Sequence, residues 1–204
     1  MKPKVLILYY SMYGNTYQLA NHIAKAVKEN GGEPLLRKAP ELIEEDQLIA
    51  NPGYQKSLKM QKNVPTIKIH EFSEVDALIL GSPTRFGNMC AQLRNVLDQT
   101  GSLWLKGSLI DKPAGVFCCT GSLHGGQETT LISMMQTLLH HGCLIVGVPY
   151  SQKELLEAKH GGTPYGPTTV VGEKADHPPT KNDLKIAWGF GERITKIAMK
   201  MRKV

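Results

Sequence analysis

Apolar positions along this chain follow two alternating periods, and the alternation predicts the architecture. Residues 5–10 are a continuous apolar run, the pattern of a strand buried on both faces. Leu19, Ile23 and Val27 then recur every fourth residue with Ala20 and Ala24 beside them, which makes one helical face closed by Gly31-Gly32. Leu35-Leu36 marks a short second strand, and residues 40–70 lack a period, with Pro40, Pro52 and Pro65 breaking any long element. Residues 77–81 read as a third strand, followed by a helix carrying Leu93, Val96 and Leu97. Residues 114–119 are the fourth strand; the helix after it ends near His140-His141-Gly142, and residues 143–148 are the fifth. Ala187, Phe190, Ile194, Ile197 and Met201 form the core stripe of a last helix. Thr180 and Asp183 open that helix in capping-box spacing, and Lys200, Arg202 and Lys203 suit its negative end. Residues 150–179 are long for a connection, so they are expected to cap a site or make a subunit contact.

Strand alternating with helix over the whole length predicts one α/β domain, residues 1–204, with a five-stranded parallel sheet covered on both faces. Right-handed crossovers put every strand-to-helix loop on one edge, so the loops after strands one, three and four converge on one crevice. In such sheets ligands bind where the strand order reverses; flavodoxin, with order 2-1-3-4-5 and FMN at the switch point, is one example. That flavodoxin-like order is the expectation here.

The loop after strand one carries the most chemistry. In KVLILYYSMYGNT, residues 4–16, the strand stops in a polar turn that hands over to a helix N-terminus, where free N–H groups and the positive dipole end suit a phosphate. Ser11, Asn15 and Thr16 add short polar side chains, and Gly14 permits close backbone approach. No Gly-Lys-Ser/Thr is present to reach the outer phosphates of a triphosphate. The loop therefore suits one terminal phosphate held by neutral donors, as in FMN. Alone, the segment is equally well an ordinary capped turn; three such loops in register favour the flavin or nucleotide site.

Composition changes little. At 41% apolar and 21% charged, the chain is an ordinary globular one. The apolar run behind Lys2 and Lys4 is too short for a secretory leader, and no stretch approaches a membrane span, so a cytoplasmic protein is expected. Cys90, Cys118, Cys119 and Cys143 show no CxxC spacing and imply neither a disulfide framework nor an iron–sulfur cluster. The net charge of +6 is spread over scattered lysines with few aromatics, which argues for steering small anions rather than for reading nucleic acid.

The motifs YYSMYGN at 9–15, GSPTRFGNM at 81–89, LDQTGSLW at 97–104, GGQET at 125–129, HHG at 140–142 and GGTPYGPTT at 161–169 together resemble the WrbA family. These are flavodoxin-like FMN-dependent NAD(P)H:quinone oxidoreductases, and the likeness spans nearly the whole chain. It implies that Ser11, Met12, Tyr13, Gly14, Asn15 and Thr16 hold the FMN phosphate. It further implies that Pro83, Thr84, Arg85, Phe86 and Gly87 run along the isoalloxazine, with Cys119, Thr120, Gly121, Ser122, Leu123 and His124 lining its other edge. His140 would lie by the flavin as the catalytic histidine. Tyr13 would touch NADH or NADPH, and Trp104 would line the quinone pocket from a neighbouring subunit of a homotetramer. Asn15 departs from the histidine of many relatives, and the loop at Leu123-His124 is one residue longer than in some.

The implied reaction is a two-step hydride transfer, from NAD(P)H to flavin N5 and then, as two electrons and protons, to a quinone. Backbone N–H groups of residues 120–124 would stabilise negative charge on the flavin, and His140 could donate a hydrogen bond or proton to the quinone. Read without the family, His140 and His141 are dipole-favoured residues at a helix C-terminus and Trp104 is a hydrophobic plug. Arg85 could equally hold its own loop through a carboxylate. A metal site from His140, His141 and Cys143 is not expected, because adjacent helical residues diverge. The alternatives are a one-electron carrier of the flavodoxin kind and a regulatory flavoprotein binding module.

Overall fold

The computed structural model describes residues 2–202. Its sheet is built on β1 (Lys4–Tyr9), β2 (Glu33–Lys38), β3 (Ala77–Arg85), a two-residue β4 (Asn88–Met89), β5 (Pro113–Thr120), β6 (Leu144–Ile145) and β7 (Thr168–Val170). The parallel order is β2-β1-β3-β5-β6, the expected 2-1-3-4-5 once the short antiparallel β4 is set aside. Strand side chains alternate between two cores. Leu6, Leu8, Leu78, Leu80, Val116 and Cys118 face one way, and Val5, Ile7, Ala77, Ile79, Phe117 and Cys119 the other. The first face is covered by α4 (Ala91–Asp98) and α6 (Gln127–His140) through Leu93, Val96, Leu131, Met134 and Leu138. The second is covered by α1 (Asn15–Glu29) and α7 (Lys181–Met201) through Leu19, Ile23, Val27, Ile186, Phe190 and Ile194.

Several elements differ from the sequence reading. β3 runs four residues past Gly81, because Ser82 and Pro83 continue to pair with Cys118 and Cys119 while Thr84 and Arg85 turn back on β4. The unpatterned 40–70 stretch contains α2 (Glu45–Leu48) and α3 (Pro52–Met60). Pro52 opens α3 rather than breaking an element: it occupies the first turn, where no N–H is needed, and the Asn51 side chain caps Gly53 and Tyr54. In α7 the stripe shifts to Ile186, Ala187, Phe190, Ile194 and Ala198, leaving Ile197 partly buried and Met201 exposed. The capping box forms as expected, with the Thr180 and Asp183 side chains each bonding the other's backbone N–H.

The largest correction concerns the fifth strand. Only Leu144–Ile145 pairs with the start of β5, and the place beside its end is taken by β7, after the chain has left and returned. Residues 146–167 thus interrupt an edge strand. The reason is a pair of close backbone crossings: a Cβ on Gly147 would stand 2.2 Å from the Pro164 carbonyl, and one on Gly166 2.0 Å from that of Val116. Val148 N–H bonds the Pro164 carbonyl, so the GGTPYG turn lies across the sheet edge where residues 146–148 would have continued the strand.

Candidate functional site

β1, β3 and β5 are parallel, so their carboxyl ends share one edge, and the loops after them enclose a crevice of about 190 Å³. The first loop is shaped by Ser11, whose hydroxyl accepts from the N–H groups of Gly14 and Tyr17 at 3.1 and 3.2 Å. Gly14 sits at φ +91, a left-handed conformation that side chains rarely adopt, and its Cβ would also stand 3.0 Å from Met60 Sδ. The N–H groups of Met12, Tyr13, Asn15 and Thr16 have no partner among the described residues. They sit at the start of the fifteen-residue α1, whose dipole adds positive potential there.

Two elements grip this loop from outside: one from the unpatterned 40–70 stretch, the other from the 150–179 segment expected to cap a site. From α3, the Ser57 hydroxyl and the Gln61 amide both donate to the Ser11 carbonyl, at 3.2 and 3.0 Å, and Gln61 also donates to Ser57 Oγ at 2.6 Å. All three residues are buried. From the other side, Asn15 Nδ2 donates to the Ala175 carbonyl at 2.7 Å while its Oδ1 accepts from Gln18. An amide both donates and accepts, and Asn15 uses both capacities.

Pro83, Thr84 and Arg85 come to the crevice from β3, Cys119 and Thr120 from β5, and Gly121 from the loop after it. The Arg85 guanidinium lies 3.9 Å from Met12 Sδ, so a cation stands in the same crevice although the phosphate loop itself has none. Glu173 adds a carboxylate to the lining, together with Val171, Gly172 and Ala175. These four residues fall within the 150–179 segment expected to cap a site, but the sequence did not single them out, because they follow β7 and their place depends on the broken fifth strand. Burial pushes the Cys119 thiol up to about 12, so it lines the site as an unreactive thiol.

Other expected residues stand apart from the crevice lining. Phe86 is fully exposed at the tip of the β3–β4 turn, with Gly87 beside it. Ser122, Leu123 and His124 form an exposed turn, whose N–H groups, like that of Gly121, have no partner among the described residues. His140 is the last residue of α6, which starts beside the crevice and runs about 20 Å to the opposite edge of the sheet. Trp104, in α5 (Gly101–Leu105), is also at that far edge and is 51% exposed. Within one chain, then, neither His140 nor Trp104 reaches the crevice. His141 is the buried member of the pair: its Nε2 lies 2.9 Å from Thr100 Oγ1, its Nδ1 has no partner among the described residues, and burial holds its pKa below the ordinary histidine value, with His140 adding to the effect. No group of metal-ligating side chains occurs among the described residues.

A doubly wound sheet with a cation-free, amide-rich loop at its switch point defines a flavodoxin-like protein. The family description NADPH-dependent FMN reductase matches residues 3–153, and the chain belongs to that family. It is 43% identical to a protein of Solidesulfovibrio magneticus and 44% identical to one of Geotalea daltonii, both named NAD(P)H dehydrogenase (quinone). Each alignment covers 97% of this chain and 98% of the relative. Among solved structures, a WrbA-like flavodoxin from Agrobacterium tumefaciens superposes with a TM-score of 0.67 at 21% identity, over 98% of this chain and 99% of that one. An archaeal flavodoxin superposes with a TM-score of 0.62, over 96% and 99% of the two chains. These two likenesses concern the fold.

Proposed function

We propose that this protein is an FMN-dependent NAD(P)H:quinone oxidoreductase working by alternating half-reactions at the crevice. The observation that carries the reading is the set of unpartnered N–H groups at Met12, Tyr13, Asn15 and Thr16, gathered at a helix start and pinned by α3 and the 171–175 segment. These donors, with the Ser11 and Thr16 hydroxyls nearby, fit a phosphate monoester. The close identity to two proteins named NAD(P)H dehydrogenase (quinone) supports the activity.

FMN held there supplies hydride acceptance from NAD(P)H and two-electron delivery to a quinone. The chain's own residues set the geometry. Pro83, Thr84 and Arg85 form one wall for the ring system and Cys119, Thr120 and Gly121 the other. The free N–H groups of residues 121–124 stabilise negative charge on the ring edge nearest them. Tyr13, partly exposed in the crevice lining, would touch the pyridine nucleotide.

His140 and Trp104 enter this scheme from another copy of the chain. Trp104, Leu105, Ile110, Leu139 and Leu144 are all exposed near the far sheet edge, an apolar surface suited to self-association. In a homotetramer that surface brings Trp104 to the quinone and His140 to the flavin of a neighbour. Steady-state turnover of NADH with benzoquinone by FMN-loaded protein tests the reading. Parallel double-reciprocal lines are expected; a loaded sample without turnover would instead indicate an electron carrier.

A further inference from the structure

We propose that the groove between α7 and the segment 149–154 is a second binding site, for a nucleotide-class ligand that joins an aromatic ring to a phosphate chain. It lies on the α1/α7 face, away from both the crevice and the apolar Trp104 edge.

The groove is two adjoining cavities, of about 550 and 410 Å³, that share Gln152, Glu154, Gly189 and Glu192 in their walls. Each lies in the size range of small-molecule sites. Their α7 wall is one helical stripe: positions 185, 188, 189, 192, 193, 196, 197 and 200 recur at intervals of three and four. From Trp188 to Lys200 the stripe runs about 18 Å, the reach of an extended nucleotide.

Both carboxylates that line it are paired. Glu192 is paired with Lys196, and Glu154 with Lys185 at 3.7 Å. Lys153, Arg193 and Lys200 line the larger cavity with no acidic partner among the described residues. Like charges brought together along a helix and its covering segment repel, and an anion between them reverses that cost. At the other end Trp188 is half-buried, with the His22 ring against it edge-on at 5.4 Å and 64°, leaving aromatic surface to line the smaller cavity. A ring therefore lies toward Trp188 and phosphates toward Arg193 and Lys200.

The groove is also preformed. Gly189 sits inside a helix, where glycine is less favourable than alanine. The Gln152 side chain explains it: a Cβ at 189 would stand 1.9 Å from Gln152 Oε1. Gln152 Nε2 donates to the Lys185 carbonyl and to Glu154, both at 3.1 Å, which fastens the covering segment onto the helix. Such fixing lowers the ordering cost of binding.

The test is calorimetric titration of FMN-saturated full-length protein with ADP, adenosine or pyrophosphate, with amide hydrogen exchange to locate the ligand. ADP is expected to protect residues 149–154 and 188–200, to weaken as salt rises, and to bind about tenfold or more tightly than adenosine or pyrophosphate. Arg193→Glu with Lys200→Glu, and separately Lys153→Glu, should each weaken ADP about tenfold or more without lowering flavin content. The second variant, on the covering segment, guards against misfolding of α7 in the first. Absence of protection at the groove, ADP affinity unchanged in both variants, or pyrophosphate binding as tightly as ADP would overturn the proposal.

Discussion

At the scale of single residues, Gly14 is the most constrained position in the proposed phosphate loop. Its positive φ and its closeness to Met60 leave no room for a branched side chain. Gly14→Val should abolish retention of FMN, read as loss of the yellow colour through purification; a variant that stays yellow with full flavin content would refute the loop assignment. His141 gives a pH prediction. Its folded pKa is depressed, chiefly by burial, below the unfolded value of about 6.5. Below that pH the unfolded chain takes up a proton that the folded chain resists. The contribution is fully present above about pH 6.5 and is lost as pH falls toward the depressed folded pKa. Thermal unfolding midpoints measured between about pH 5 and 8 should therefore fall less steeply with acid in His141→Gln than in the parent.

Among the elements, α3 is the one on which the loop leans. Gln61→Leu removes a donor from the buried Ser11 carbonyl and from Ser57, a loss of about 1–3 kcal/mol. Chemical denaturation reads that loss, and FMN affinity should drop with it, since the loop's N–H groups lose their aim. Unchanged FMN affinity in a destabilised variant would make α3 a mere packing element. The contrast between α3 and β1 shows what the sequence could reveal. β1, β3 and β5 were legible because burial on both faces leaves continuous apolar runs, and α1 because four-residue spacing survives in Leu19, Ile23 and Val27. Short α3 and its C-cap carry two buried polar residues, Ser57 and Gln61, so no apolar period marks it. β7 was invisible for another reason: three residues, Thr168–Val170, pair only because residues 146–167 loop out and return. The site followed the same division. The pattern itself singled out Ser11, Gly14, Asn15 and Thr16 after β1, the residues after β3 and β5 came from the family likeness, and Val171, Gly172, Glu173 and Ala175 depend on a tertiary crossing. His140 and Trp104, suggested by likeness rather than by spacing, lie outside the single-chain crevice.

For the whole molecule, assembly should decide whether the proposed chemistry is complete. Trp104→Ala removes the largest side chain from the apolar edge while leaving the crevice of its own chain intact. It should raise the quinone KM about fivefold or more, the roughly 1 kcal/mol or more of a lost aromatic contact, with FMN content preserved. Dilution below the dissociation constant of the assembly should lower activity per chain in the parent, measured by sedimentation alongside turnover. Constant specific activity in a fully monomeric sample would remove Trp104 and His140 from the mechanism. The positive net charge of +6 adds a kinetic expectation: encounter with anionic NAD(P)H should slow as ionic strength rises.

The detour within the outermost strand has a consequence for how such proteins can vary. Because residues 146–167 depart from and rejoin the sheet border, their length can change without shifting the pairing of β1, β3 and β5. The same excursion supplies the wall over α7 and, past β7, the Ala175 carbonyl that tethers Asn15. One stretch of chain is thereby joined to two recesses, one at the carboxyl edge of the sheet and one along α7. Lengthening or trimming it offers a route to retune both at once while the central scaffold stays untouched.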